Sequence, residues 1–316
     1  MNIVVLDINP LKPEAFEALQ ACGQVSLYPK TTPEQVLERA KDAEILLTNK
    51  TKLNADMINA LPNLKYIGMI STGFDVVDIN AAKARGIPVC NVPDYSSESV
   101  AQHVFSLIFA LYRRVEYHNQ SVQVGCWERS EAPFYWHTPQ RALNGQTIGI
   151  VGFGHIGKKI AKAANGFEMN ILAYSPRQKT PTNYENFAYA ELDELFAKSD
   201  IVALSCPLND SNRGFVNASL INKMKASAII INTSRGPLIN EQDLALALRT
   251  GKIWGAGLDV LSVEPPSIDN PLVGATNCIL TPHLAWATDI ALNKLLKTVA
   301  ENIKAWQANK TQNQVN

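Results

Sequence analysis

Along nearly the whole chain, short apolar runs alternate with segments whose apolar residues recur every three to four positions. In the first third, residues 3–6, 45–47, 66–70 and 88–90 are runs too short for buried helices and read as buried strands. Residues 13–21, 33–41 and 79–85 carry the wider period and read as amphipathic helices. That rhythm predicts a parallel sheet with crossover helices. A longer helix is predicted from about 97 to 115, with Val100, Val104, Leu107, Ile108 and Leu111 at helical spacing. A second unit of the same kind starts at Thr147, with strands expected over 148–151, 169–174, 201–205, 228–232 and 253–258. Residues 286–308 form a last helical pattern, and the polar tail 310–316 reads as frayed. The fold class is α/β, with two doubly wound parallel sheets.

Residues 125–143 break the rhythm. They hold Trp127, Phe134, Tyr135 and Trp136 together with Pro133 and Pro139, and read as an irregular connection. Aromatics there either pack against a neighbour, the commoner use, or line a subunit interface or the site.

Composition narrows the class. A chain of 316 residues with a 46% hydrophobic share can bury a large core, and its zero formal net charge offers no basic stripe for nucleic acid. The five cysteines are odd in number and include no Cys-x-x-Cys, so neither a disulfide framework nor a zinc cluster is expected and a cytoplasmic setting is the default. The first residues read as a strand opening rather than a signal peptide, and no apolar run is long enough to span a bilayer.

The first chemical signature is Ile148-Gly-Ile-Val-Gly-Phe-Gly-His-Ile-Gly157, a Gly-x-Gly-x-x-Gly between an expected strand and an expected helix at 158–165. In that context Gly152 permits the tight turn, Gly154 lets backbone approach a pyrophosphate, and Gly157 lets helix and strand pack closely. The amides of His155 and Ile156 at the helix start are donors for phosphate oxygens. After the next strand the chain reads Ala173-Tyr-Ser-Pro-Arg-Gln-Lys179. Ser175 stands where an NAD site usually has a carboxylate, which removes repulsion towards a 2′-phosphate, and Arg177 and Lys179 are cations that can pair with one. NADPH use is therefore favoured; the alternative is that both cations are solvated loop charges.

The second signature is a set of three strand ends, 228–236, 255–265 and 278–283, which deliver Arg235, Glu264 and His283. An arginine fork can hold a planar carboxylate and carbonyl, an imidazole can give or take a hydroxyl proton, and a neighbouring carboxylate fixes its tautomer. Each could be a bland residue singly: a turn arginine, a loop acid, a core histidine. Together, downstream of a nucleotide signature, they point to hydride chemistry on a 2-oxo or 2-hydroxy acid. His103, His118 and His137 lack such a setting and read as helix or loop residues; without a second ligand at metal spacing no metal site is expected.

Those segments resemble the D-isomer-specific 2-hydroxyacid dehydrogenases, and within them the D-glycerate dehydrogenase/hydroxypyruvate reductase group. The resemblance rests on residues 151–157, 231–237, 257–266 and 281–287, with 91–102 similar to the lead into the interdomain helix. Trp286 and Asp269-Asn-Pro271 are similar to the glycerate group. The resemblance implies two Rossmann-like domains: a discontinuous flavodoxin-like substrate domain (1–97 and 285–316) and an inserted NAD(P)-binding domain (98–284). It implies that Arg235 binds substrate carboxylate and carbonyl oxygen, that His283 is the proton donor in reduction, and that Glu264 is its charge partner. Thr233, Ser234 and Arg235 would line the nicotinamide side, Asp259 would bind the carboxamide, and Cys206, Pro207 and Asn212 would flank the adenosine half. Backbone amides at Ser71, Thr72 and Gly73 would hold the substrate carboxylate, although Ser71-Thr72 and Asp75-Val76 depart from the family's usual residues there. A homodimer formed through the helix near 100–115 is also implied. D-lactate-type and phosphite-type dehydrogenases share the scaffold, as does a dinucleotide-sensing corepressor that binds proteins. Formate oxidation is disfavoured by the charged Glu264, and D-3-phosphoglycerate oxidation by the lack of a further regulatory domain after the last helix.

Overall fold

The structure is a computed structural model that describes residues 1–178 and 183–316. The chain divides into two compact units, Met1–Tyr95 with Thr288–Asn316, and Ser96–Ala287.

The first unit holds a five-stranded parallel sheet: β1 (Asn2–Val5), β2 (Gln24–Leu27), β3 (Ile45–Thr48), β4 (Tyr66–Met69) and β5 (Val89–Cys90). Their order in the sheet is β2-β1-β3-β4-β5, the flavodoxin-like arrangement. β3 and β4 are buried throughout, which is why they read as unbroken apolar runs. β2 escapes such a reading because it is a half-exposed edge strand with the sequence Gln-Val-Ser-Leu. Residues 13–21 form three-ten turns rather than an α-helix. Their buried residues Phe16 and Leu19 are three apart, the period of that tighter helix. Residues 33–41 split into a three-ten turn, Pro33–Gln35, and an α-helix, Val36–Ala40, with Thr32 and Gln35 forming a capping box.

At the point where strand order reverses, between β1 and β3, an open sheet of this kind has a crevice suited to ligands. Here the chain fills it with its own carboxylate. Asp7, just past β1, accepts from the backbone amides of Asn49 (2.8 Å), Lys50 (2.7 Å) and Thr51 (2.5 Å) and from the Thr51 hydroxyl (2.9 Å).

The tail is a correction to the frayed segment expected over 310–316. Gln314 pairs antiparallel with Cys90, and the Val315 amide donates to the Val89 carbonyl at 2.9 Å. The Asn316 side chain accepts from the Val89 amide and donates to the Ile87 carbonyl, at 2.9 and 2.8 Å. β5 presents an unpaired edge, and the tail satisfies it, with Val315 packed against the core of the unit. The last helix, Asp289–Gln307, is capped by the Thr288 hydroxyl and buries Leu295, Val299 and Ile303.

The second unit holds a seven-stranded parallel sheet in the order β12-β11-β10-β9-β6-β7-β8. The strands are β6 (Thr147–Val151), β7 (Asn170–Tyr174), β8 (Phe187–Tyr189), β9 (Ile201–Leu204), β10 (Ile229–Asn232), β11 (Gly255–Leu258) and β12 (Cys278–Leu280). Alternate residues feed two cores: Ile148, Ile150, Ile201, Ala203, Ile229 and Ile231 on one face, Val151, Val202, Leu204 and Ile230 on the other. The first face is covered by the helices Ser97–Tyr112 and His155–Gly166, the second by Leu192–Lys198, Ala218–Ile221 and Glu241–Arg249. The expected helix to residue 115 stops at Tyr112, because Arg114 takes a left-handed backbone (φ 42°) and its guanidinium bonds the Asn277 side chain. A second helix, Val115–Gln123, then starts. Val115, Val124, Trp127, Phe134 and Trp136 all lie more than half exposed along this stretch.

Replacing Asp7 by alanine strands three backbone donors at the end of β1. Asp7→Ala is expected to lower stability by about 1–3 kcal/mol, read as a lower urea midpoint, and an unchanged midpoint would refute the role given to this carboxylate.

Candidate active site

β6 and β9 flank the strand-order reversal of the second sheet, and the glycine signature sits at their C-terminal ends. Gly152 has φ 99°, a backbone that side chains rarely adopt, and a Cβ there would lie 2.5 Å from the Cys206 amide nitrogen. A Cβ on Gly157 would overlap the Gly152 carbonyl, so this glycine sets how closely helix His155–Gly166 approaches the turn. A Cβ on Gly154 would meet nothing within 4 Å: the space above it is open. Gly154 is also the residue that opens the helix, at whose N-terminus the amides of His155 and Ile156 lie. A tight turn, a close helix and an open amide-bearing face suit a dinucleotide pyrophosphate.

Other expected cofactor residues gather at neighbouring strand ends. The Ser205 hydroxyl donates to the Gly152 carbonyl at 2.7 Å, and the Ser234 hydroxyl to the Cys206 carbonyl at 2.5 Å. Asn212 folds its loop back, donating to the Pro207 carbonyl and accepting from the Asn209 amide, both at 2.8 Å. Burial pushes the Cys206 thiol up to about 11, which keeps it protonated and makes it a poor nucleophile. The Thr233 hydroxyl is buried and has no hydrogen-bond partner. An orphaned polar atom beside a nucleotide turn fits a group that the cofactor would bring. The Ser175 hydroxyl donates to the Arg177 carbonyl at 3.0 Å, forming a short turn after β7. Lys179 lies outside the described residues.

Arg235 follows β10 in an extended backbone conformation, and its guanidinium donates to the Ser234 carbonyl at 2.9 Å. The turn is built by Asn232, whose side chain accepts from the Ser234 amide (3.0 Å) and donates to the Arg235 carbonyl (2.9 Å). Gly236 then packs so tightly on the Leu261–Ser262 backbone that a Cβ would overlap the Leu261 carbonyl carbon. The arginine turn and the segment leading to Glu264 therefore touch. One Glu264 oxygen accepts from the Leu261 amide at 3.2 Å, and the other lies 2.6 Å from His283 Nδ1. That is a short, charge-assisted pair. His283 itself is held at φ 55°, its amide donating to the Asp259 carbonyl (2.9 Å) and its carbonyl accepting from the Trp286 indole (2.8 Å).

Asp259, expected from the resemblance to bind the carboxamide, also has partners within the protein. It is 1% exposed, and its carboxylate is engaged within the protein: by the Thr281 hydroxyl (2.6 Å) and the amides of Leu284 (2.9 Å) and Ala285 (2.9 Å). It anchors the loop that carries His283. His103, read from sequence as an ordinary helix residue, also belongs here, with Nε2 3.0 Å from the Thr281 hydroxyl. The available signal was its place three residues after Val100, on the buried stripe of the long helix, where a polar residue needs a partner.

In the first unit, the Ser71 hydroxyl donates to the Gly73 carbonyl at 2.6 Å and the Thr72 hydroxyl to the Val92 carbonyl at 2.7 Å. Asn91 donates to the Thr72 carbonyl (2.7 Å), and the buried Asn302 to the Asn91 carbonyl (2.9 Å). Both hydroxyls of this loop are spent on backbone carbonyls, so ligand recognition here would fall to its amides. No group of three or more His, Cys, Asp or Glu among the described residues could hold a metal ion, and no described helix is long and apolar enough to cross a membrane.

Residues 105–285 match the D-isomer specific 2-hydroxyacid dehydrogenase family, NAD binding domain. Two relatives extend the likeness to the rest of the chain. A hydroxypyruvate reductase of Blautia hydrogenotrophica is 42% identical, covering 100% of both chains, and a glycerate dehydrogenase of Methylorubrum extorquens is 40% identical over 90% of this chain and 89% of its own. Among solved structures, an acyclic imino acid reductase in complex with NADPH and D-arginine is similar at 31% identity and a TM-score of 0.87, covering 100% of both chains. A chain with this nucleotide turn and this cation–carboxylate–imidazole set belongs to the D-isomer-specific 2-hydroxyacid dehydrogenase family. It is an NAD(P)-dependent oxidoreductase with two Rossmann-like sheets.

Because Gly152 combines a positive φ with close backbone contact, Gly152→Ala is expected to weaken dinucleotide binding about tenfold or more. A fluorescence titration with NADH and NADPH measures this; undiminished affinity for both would show that the turn does not carry the cofactor.

Proposed function

We propose that the protein is a glycerate dehydrogenase/hydroxypyruvate reductase that also accepts glyoxylate, with Arg235, Glu264 and His283 as its catalytic residues. The observation that carries the reading is the 2.6 Å pairing of His283 Nδ1 with Glu264, on a segment packed against the Arg235 turn. The names of the relatives from Blautia hydrogenotrophica and Methylorubrum extorquens support the substrate class.

When bound, the nicotinamide cofactor would supply the hydride for reduction at C2 of the 2-oxo acid. The residues of this chain do the rest. Arg235 binds the substrate carboxylate and carbonyl oxygen with two donors of its fork and stabilises the negative charge that grows on that oxygen. Amides of Ser71, Thr72 and Gly73 hold the carboxylate. Glu264 occupies Nδ1 of His283, so proton delivery falls to Nε2, which gives its proton to the developing alkoxide and leaves a hydroxyl. Thr233 and Ser234 line the nicotinamide side, and Cys206, Pro207 and Asn212 the adenosine side. Ser175 and Arg177 favour NADPH, because a hydroxyl and a cation stand where a carboxylate would repel the 2′-phosphate.

A homodimer is part of the same reading. Val115, Val124, Trp127, Phe134 and Trp136 form an exposed apolar stretch of the kind that a second subunit covers. The free cysteines suit a reducing, cytoplasmic setting.

Initial rates with hydroxypyruvate, glyoxylate and pyruvate, each with NADH and NADPH, test the substrate and cofactor together. Hydroxypyruvate should be the best of the three and NADPH at least equal to NADH. No turnover of any 2-oxo acid despite tight dinucleotide binding would reject the reading, and a large NADH advantage would reject the role given to Ser175 and Arg177. His283→Ala should lose roughly 10²–10⁴-fold in kcat; near-normal turnover would remove it from proton transfer. Trp136→Glu should halve the mass seen by light scattering, and a wild-type protein that is already monomeric would dismiss the dimer.

A further inference from the structure

We infer that His103 is a positioning residue for His283, acting from the long helix through Thr281 and Asp259. This rests on the reading of His283 as the proton donor.

The argument starts from the strain at His283. A non-glycine residue at φ 55° stays there only if its surroundings hold it. The 281–285 loop is held at three places. The Asp259 carboxylate takes the amides of Leu284 and Ala285, both at 2.9 Å. The Ser99 hydroxyl donates to the Ala285 carbonyl at 2.6 Å. At the other end His103 Nε2 meets the Thr281 hydroxyl at 3.0 Å.

Proton counting gives the last contact a direction. A hydroxyl carries one proton, and that of Thr281 goes to Asp259 Oδ1 at 2.6 Å. Its oxygen must therefore accept from His103, which fixes His103 with a hydrogen on Nε2. The same nitrogen lies 3.5 Å from Asp259 Oδ1. Asp259 is buried and the Thr281–His103 contact part-buried, so losing a donor from this set leaves a charge and a hydroxyl less well satisfied. The remaining bonds would have to adjust, and the segment that adjusts carries His283. Ser99 and His103 are one helical turn apart on the helix Ser97–Tyr112, so a rigid element grips both ends of the loop.

The function of this grip is to keep the imidazole within hydrogen-bonding reach of Glu264 and of the substrate oxygen. A proton donor displaced by a fraction of an ångström slows proton transfer while leaving the nucleotide turn, at the ends of β6 and β9, untouched.

The test compares His103→Leu, which removes the donor, with His103→Gln, whose amide nitrogen can take the place of Nε2. Thr281→Val is the second route, since it removes the accepting hydroxyl at nearly constant volume. Reduction of hydroxypyruvate is followed in water and in deuterium oxide, with dinucleotide affinity from fluorescence. His103→Leu and Thr281→Val should each lose about tenfold in kcat, with a larger solvent isotope effect as proton transfer becomes limiting. His103→Gln should recover most of the rate, and dinucleotide affinity should stay at the wild-type value in all three. Wild-type kcat in His103→Leu and Thr281→Val, or a slower rate with an unmoved isotope effect, would overturn the inference alone. So would a loss of dinucleotide affinity in step with the rate, because that marks general structural damage. Failure of the wild-type enzyme to reduce any 2-oxo acid would instead overturn the functional reading and, with it, the inference.

Discussion

The buried carboxylate of Asp259 is the constraint on which the site depends. A charge with 1% of its surface exposed is tolerated only when its oxygens are fully occupied by donors. Meeting that demand draws three strand ends together. The Asp259 amide donates to the Asn232 carbonyl at the end of β10 (2.9 Å). Its carbonyl and carboxylate then take the His283, Leu284 and Ala285 amides and the Thr281 hydroxyl beyond β12. Asn232 in turn builds the Arg235 turn. One polar residue at the end of β11 thus ties the arginine loop to the histidine loop, and Gly236 lets the Glu264 segment approach both.

The two sheets treat their crevices in opposite ways. Both strand orders reverse at one point, and both therefore open a gap at the C-terminal ends of two strands. In the first unit Asp7 occupies the gap and takes three backbone amides, the groups that would otherwise bind an external anion. In the second unit Gly152 and Gly157 make the turn and the close helix, and nothing lies within 4 Å of a Cβ on Gly154. One fold type thus yields a closed crevice with an internal carboxylate and an open one with a ligand-ready turn. The difference comes down to an aspartate after β1 and glycines after β6.

Much of this was legible in the sequence for one physical reason: it is local. The glycine turn and the Arg235 turn are each written in fewer than about ten consecutive residues. The continuous apolar runs of β3, β9 and β10 announced a buried parallel sheet because both faces of those strands are covered. What was not legible depends on partners far along the chain. Asp259 and His103 have their roles set by Thr281, 22 and 178 residues away respectively. No spacing rule links such positions. The tail 310–316 looked frayed because its polar composition says nothing of the open edge of β5, to which Asn316 and Val315 are bonded. The half-exposed β2 and the break at Arg114 were hidden likewise, the first by a weak alternation and the second by a tertiary bond to Asn277.

His103 shows why the scaffolding of the site is hard to read from sequence. A polar side chain on an apolar stripe is costly unless paired, so His103 on the buried face of the long helix signals a partner elsewhere in the fold. Local pattern shows where such a residue sits but not which group satisfies it. At His283 the same logic applies to the backbone: its left-handed conformation is unfavourable in isolation and persists because bonds from Asp259, Ser99 and Trp286 hold the surrounding loop. Local rules break most where the chain is held by long-range polar bonds, and those bonds are spent on fixing an imidazole against a carboxylate. The part of the molecule that sequence reads least well is therefore the scaffolding of the site rather than the residues that would perform the chemistry.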